Sequence, residues 1–312
     1  MGRTIAVANQ KGGVGKTTTT VNLGASLAAA ERRVLVVDID PQGNATSGLG
    51  ISKAEVHAGL YEALAGEATL DEVIQKTELD FLDLVPATTD LAGANIELVQ
   101  VEQREFRLRS VLSGVAARYD YVLIDCPPSL ELLTVNALVA ADTVLVPLQC
   151  EYYALEGISD LMTTLSLVRQ NLNPDLKVEG ILLTMFDARN NLSHQVREEV
   201  LRHFEGQVFE VVVPRNVRLS EAPSFGKPIL LYDLASKGSQ AYLALAEEIL
   251  ARDLAEGTPG AQGPDGGPLG PAAENAPGTG RGGGLAPGGP RQGEAGLGET
   301  EPLDAATPEV RS

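Results

Sequence analysis

The chain has no tryptophan, two cysteines, and aromatic residues at only 4% of its 312 positions. Cys126 and Cys150 show no CxxC spacing. That excludes a disulfide-stapled scaffold, and with no secretory leader in view the expected setting is a reducing cytoplasm. Long apolar runs are also missing, so no segment is expected to span a bilayer. Basic residues are few: 24 Lys and Arg face 42 Asp and Glu, a formal net charge of −18. A surface this acidic is not coated for nucleic acid, so any DNA contact has to come from a local basic patch.

The scarcity is greatest at the end of the chain. No aromatic residue follows Tyr242, and residues 257–312 hold 16 of the 33 glycines and 9 of the 18 prolines. Such a segment cannot bury enough apolar surface to offset its ordering entropy. We therefore expect a folded domain over 1–254 and a Gly/Pro-rich, disordered tail over 255–312. The tail does not account for the acidity, because residues 1–250 alone carry 20 basic and 33 acidic side chains.

The folded part alternates short apolar runs with helical patterns. TIAVAN (4–9), VLVVDID (34–40), FLDLV (81–85), YVLIDCPP (121–128), TVLVPL (143–148), VEGILLTMF (178–186) and QVFEVVVP (207–214) read as strands. Lys16 to Ala30 reads as a helix, and Thr69 with Glu72 has capping-box spacing. Strands that are apolar throughout and alternate with helices imply an α/β fold: a doubly wound, mostly parallel sheet with helices on both faces. Ligands of such folds gather at the carboxyl ends of the strands. The loop at 9–16, Asp38, Asp40 and Asp125 all fall at such ends.

NQKGGVGKTTTT (9–20) carries the chemistry. Gly12, Gly13 and Gly15 let backbone N–H groups converge on phosphate oxygens, and the following helix aims its positive end at them. Lys16 reaches the β- and γ-phosphates and the Thr17 hydroxyl can ligate Mg²⁺, the marks of a P-loop nucleotide site. Two features are unusual: Gln10 stands where such loops begin with glycine, and a second lysine, Lys11, precedes Lys16 by five positions. Asp125 ends an apolar strand where a Walker-B acid belongs, with Mg²⁺ held through a water as its expected role. Asp38 and Asp40 are two apart and point to opposite sides if the strand is regular there, which leaves open which one serves the site.

KGGVGKTT, VDIDPQGNAT (37–46) and VLIDCPPSL (122–130), with PATTDLAGANIEL (86–98), PLQCEYYALEGI (147–158) and PRNVRLSEAPSFGKPI (214–229), resemble the ParA/Soj family of chromosome-partitioning ATPases. That family lies within the deviant Walker-A (ParA/MinD) group, and the likeness covers about residues 3–250. The resemblance implies an ATPase that forms an ATP-dependent sandwich homodimer. Lys11 would reach the partner's nucleotide, and Gly12, Gly13, Val14, Gly15, Lys16, Thr17 and Thr18 would hold phosphates. Asp40 would orient the attacking water, and Asp125 would complete the Mg²⁺ shell. Pro214 and Asn216 match positions that contact adenine, with Met185 and Asp187 nearby. Arg189 and Arg218 match positions associated with nonspecific double-stranded DNA.

The implied partner is a ParB-type (Spo0J-like) centromere-binding protein that stimulates hydrolysis, with the replication initiator as a further candidate. The implied location is cytoplasmic and nucleoid-associated, away from membranes. With no room before residue 4 for a helix-turn-helix domain, operator-specific binding is not expected. Three alternatives share the nucleotide site. A MinD-like membrane-positioning ATPase needs a basic amphipathic C-terminal helix, where this chain is Gly/Pro-rich and acidic. A nitrogenase-iron-protein-like electron donor needs two cluster cysteines, and Cys126 and Cys150 lack the glycine-rich context. A nucleotide-gated regulator of replication initiation is compatible with every residue here.

Overall fold

The apolar runs become the strands of one sheet. In the computed structural model, which describes residues 2–151 and 154–256, these are β1 (Arg3–Val7), β2 (Val34–Asp38), β3 (Gln75–Lys76) and β4 (Leu82–Val85). They continue as β5 (Tyr121–Asp125), β6 (Thr143–Gln149), β7 (Lys177–Phe186) and β8 (Val208–Pro214). The order is β3-β4-β2-β5-β1-β6-β7-β8, parallel throughout except for the short antiparallel β3–β4 edge. The doubly wound sheet expected from the sequence is therefore present. Its edge strand β3 was not foreseen, because two residues carry no readable period. The last described helix runs to Glu256, so it takes in residues 255 and 256 of the expected tail, and the rest of that segment lies outside the described residues.

Alternation along the central strands builds two cores. Ile5 and Val7, Val34 and Val36, and Leu123 face α1 (Lys16–Ala29) and the helix Lys237–Glu256, meeting Leu23, Leu27, Tyr242, Leu245 and Ile249. Ala6, Leu35, Val37, Val122 and Ile124 face the other layer, meeting Leu133, Ala137, Ile158, Leu161 and Leu165. Each fully buried aliphatic side chain contributes roughly 1.5–3 kcal/mol, so packing on both faces dominates the stability of the sheet. Both cysteines are buried and free, and behave as small core side chains. The last described helix, Lys237–Glu256, buries Tyr242, Leu245, Ala246 and Ile249 against the sheet. Among the described residues no helix is long and apolar enough to cross a membrane.

Register brings the expected residues together. Val7 lies opposite Asp125, and Asp125 opposite Asp38, so β1, β5 and β2 end at one level. The ladder runs slightly past the strands, with Cys126 N–H on the Val7 carbonyl at 3.3 Å and Ile39 N–H on that of Asp125 at 3.2 Å. At Thr69 the capping box forms, the backbone N–H donating to Glu72 Oε2 at 2.7 Å.

Candidate active site

The glycine loop runs from β1 into α1 with the left-handed turns that glycine permits: Gly13 at φ 74° and Gly15 at φ 94°. A Cβ on Gly13 would meet nothing within 4 Å, so conformation rather than space demands glycine there. α1 begins without a side-chain cap. Its first N–H groups therefore point into the loop, the arrangement that binds anions at helix N-termini. The loop is stapled from outside by two bonds. Asn9 Nδ2 donates to the Pro147 carbonyl at 2.8 Å, and Thr184 Oγ1 donates to the Val14 carbonyl at 2.8 Å.

The two lysines differ in place. Lys16 is only 7% exposed, and its Nζ donates to the Lys11 carbonyl at 3.2 Å. Burial lowers its pKa, against the pull of Asp125, Cys126 and Asp40. Lys11 stands on the rim with its side chain 38% exposed, and its Nζ pairs with Glu151 Oε2 at 2.9 Å. One ammonium is thus built into the loop, while the other is paired on the rim with the carboxylate of Glu151.

Two aspartates act on Lys16, Asp125 from the end of β5 and Asp40 from the turn after β2, while Asp38 ends β2 beside them. Asp125 is fully buried, and its Oδ1 accepts from Thr20 Oγ1 at 3.1 Å. Its Oδ2 is buried and has no geometrically sound hydrogen bond, although the Thr17 hydroxyl is close enough to favour the charged form. Burial first, and then the charge of Asp38, raise its pKa well above the usual range. A buried carboxylate oxygen without a partner costs roughly 1–3 kcal/mol or more. A hard divalent cation takes oxygen ligands of this kind, so the pair Thr17 and Asp125 fits one.

β2 stops at Asp38, so strand alternation never reaches Asp40 and the two carboxylates sit in different surroundings. Asp38 turns inward, and its Oδ2 accepts the Thr46 backbone N–H at 2.8 Å and hydroxyl at 2.7 Å. Burial pushes its carboxyl up to about 6, with the Thr46 bonds opposing and the Asp40 charge adding to the rise. Asp40 lies in the turn beyond, 7% exposed, with its Oδ1 accepting from Gln42 N–H at 2.9 Å.

A family model described as an AAA domain matches residues 2–178. The chain is 64% identical over 253 residues to the chromosome partitioning protein ParA of Myxococcus xanthus, covering 81% of this chain and 89% of that protein. It is 60% identical over 251 residues to the sporulation initiation inhibitor protein Soj of Bacillus subtilis, covering 80% and 99%. The chain belongs to the ParA/Soj family. Among solved structures, cobyrinic acid a,c-diamide synthase from Mycobacterium smegmatis with bound ADP and magnesium shares the fold at TM-score 0.72. It is 39% identical, covering 81% of this chain and 96% of that one.

The remaining positions matched to ParA/Soj motifs lie along the β7–β8 side of the same edge. Phe186 pairs with Pro214, and Arg215 N–H donates to the Phe186 carbonyl at 3.1 Å. Asn216 caps the short helix Val217–Glu221, accepting Arg218 N–H at 2.8 Å. Met185, next to last in β7, has φ 50°, a left-handed conformation that costs a non-glycine residue about 1–3 kcal/mol and clusters at functional sites. Arg189 is 89% exposed and clasps Asp187 with two bonds, Nε to Oδ1 at 3.0 Å and one terminal nitrogen to Oδ2 at 2.9 Å. Arg218 pairs with Glu221 at 2.9 Å and Asp233 at 3.4 Å.

The sequence reading missed Asn9, Thr20, Thr46, Glu151 and Thr184. Only Thr20 carried a usable signal, since it closes the TTTT run one helical turn after Lys16.

Proposed function

We propose that this protein is an ATP-driven switch for chromosome partitioning: ATP closes a homodimer that holds nonspecific double-stranded DNA, and hydrolysis, stimulated by a ParB-type partner, releases it. The contrast between the two lysines carries this reading. Lys16 is committed to its own loop, whereas Lys11 is half-exposed and needs only to leave Glu151 to serve a nucleotide outside its own chain.

On this reading Gly12, Gly13, Val14, Gly15, Lys16, Thr17 and Thr18 bind the phosphates, with their N–H groups and the Lys16 ammonium meeting the negative charge. Pro214 and Asn216 border the base. Thr17 and Asp125 hold Mg²⁺, which neutralises charge on the phosphate oxygens when bound. Asp40 orients the attacking water. Lys11 from the partner places positive charge on the transferring phosphoryl group, so hydrolysis depends on dimerisation. A charge delivered in this way by an arginine finger is worth roughly 10³–10⁵ in rate.

Arg189 and Arg218 contact DNA phosphates. Each is exposed and its carboxylate partner is exposed or half-buried, so exchanging carboxylate for phosphate sacrifices little. Two copies of a modest patch in a dimer make retention depend on ATP and fall steeply with salt.

The test is retention of the full chain on nonspecific DNA at low salt with ATP, ADP or no nucleotide, for the parent and Asp40→Ala. We expect the parent to be retained only with ATP. The variant should bind ATP, dimerise and stay on DNA longer. Equal retention of the parent without nucleotide would sink the switch.

A further inference from the structure

The turn that carries Asp40 is not part of the sheet, yet it is closed by buried hydrogen bonds. Asp40 N–H donates to Asp38 Oδ1 at 3.3 Å, and the Asp40 carbonyl accepts Gly43 N–H at 2.8 Å. Three residues after the turn, in the short helix Asn44–Gly48, Thr46 returns to the same carboxylate with both backbone N–H and hydroxyl. The two oxygens of Asp38 therefore grip the two ends of one loop. The Thr46 hydroxyl then does a second task. Having donated its proton to Asp38, it accepts the Ala87 N–H at 3.0 Å, just past β4.

Asp38, Thr46 and Ala87 are all fully buried, so none of these bonds is exchangeable with water at low cost. The loop also presses on the same strand end sterically. Gly43 adopts φ 59°, and a Cβ there would come within 3.0 Å of the Ala87 carbonyl.

We propose that Asp38 and Thr46 are positioning residues for hydrolysis: they fix the turn bearing Asp40, and Thr46 ties that turn to the backbone at Ala87. This rests on the assignment of Asp40 as the residue that orients water. Neither side chain touches nucleotide; both act through the placement of Asp40. A small displacement of a reacting group can cost on the order of 10²-fold in rate. Ground-state contacts to the phosphates, made by the glycine loop, are left alone.

The experiment compares full-length parent, Thr46→Ser, Thr46→Val and Asp38→Asn with ATP, Mg²⁺ and nonspecific double-stranded DNA. Hydrolysis and equilibrium ATP affinity are both measured, and a melting curve with ATP records folding. Valine keeps the shape of threonine but loses donor and acceptor together. We expect Thr46→Val to lower kcat by about ten- to a hundredfold, with ATP Kd within about threefold of the parent. Thr46→Ser, which keeps the hydroxyl, should hold both values within about threefold of the parent. If Thr46→Val does not fold, Asp38→Asn makes the same split readable, with lower kcat and preserved ATP affinity.

The proposal is overturned if folded Thr46→Val hydrolyses ATP like the parent, or if affinity falls in step with kcat. It is also overturned if serine fails as badly as valine. Asp40→Ala separates the two levels. If that variant hydrolyses like the parent, the assignment of Asp40 falls and this inference with it. If it is inactive while Thr46→Val is normal, only the positioning role is lost.

Discussion

The two ends of the sheet handle charge in opposite ways. At the amino ends of the strands lies a groove of about 790 Å³, lined by Arg3, Arg33, Lys177, Asp120, Asp142 and Asp253 among others. Five of these charges, on Arg3, Arg33, Asp120, Asp142 and Asp253, are answered locally. Arg3 pairs with Asp253 and with Glu179 at 3.0 Å, Asp120 accepts the Arg33 N–H at 2.8 Å, and Asp142 accepts the Thr4 N–H at 2.8 Å. At the carboxyl ends Asp125 and Asp40 act on one buried lysine, Asp38 crowds Asp125, and a carboxylate oxygen of Asp125 is left without a hydrogen bond. The amino end is thus largely paired, and the carboxyl end is not. Unbalanced buried charge, rather than volume, marks where phosphates and a cation belong, because a structure held only by its own contacts would not leave that cost unmet.

If the contrast is real, substitutions at the two ends should fail in different assays. The largest effect is expected from Lys11→Ala. It removes the rim ammonium without touching Lys16, so ATP affinity should stay within about threefold. Hydrolysis should fall by roughly 10³-fold or more if the charge acts as a finger. Single-turnover hydrolysis beside equilibrium ATP binding measures both. A matching loss of affinity would place Lys11 in its own chain's site instead.

The next effect belongs to the opposite end. Arg3→Ala leaves Glu179, whose side chain is 1% exposed, without its Arg3 partner, although Thr143 Oγ1 still donates to it at 2.7 Å. A loss of about 2–3 kcal/mol in unfolding free energy is expected from removing a charged hydrogen-bond partner of a buried group. ATP affinity should not change. Denaturant melts with and without ATP check this, and a fall in affinity at constant stability would show that the two ends are coupled.

Much of this arrangement was legible because its signals are local. Near-continuous apolar runs gave the strands, and Gly12, Gly13, Gly15, Lys16 and Thr17 sit within one loop and the first turn of one helix. What stayed hidden depends on distant partners. Lys11 meets Glu151 across 140 positions, and Thr184 reaches the Val14 carbonyl across 170. A sequence shows that a threonine or glutamate is present, but the fold decides whom it faces. Asp38 shows the point most clearly: alternation left it level with Asp40, and only the end of β2 at Asp38 separated a buried anchor from a residue in the turn. β3 was hidden for a different reason. It exists because Gln75 and Lys76 lie beside Leu84 and Asp83, not because two residues prefer a strand.

The smallest expected effect lies on the exposed arginines, where charge is neither buried nor unbalanced. Two guanidinium bonds and the backbone N–H of Arg189 hold the Asp187 carboxyl down at about 2, below its ordinary 3.8. A depressed folded-state value favours the native state above the ordinary carboxylate range. That contribution disappears as pH falls from about 4 through 2. Because the pair is exposed, the effect on stability should be slight, and the titration itself is the better observable. Carbon-detected NMR of Asp187 should show a midpoint near 2 in the free chain, rising part of the way toward 3.8 in Arg189→Ala, which keeps the backbone N–H bond. Nonspecific DNA added with ATP should move the parent's midpoint the same way, because phosphate then competes for the guanidinium. A midpoint unmoved by DNA, in a sample that binds it, would mean that Arg189 keeps its carboxylate and that the contact to phosphate is made elsewhere.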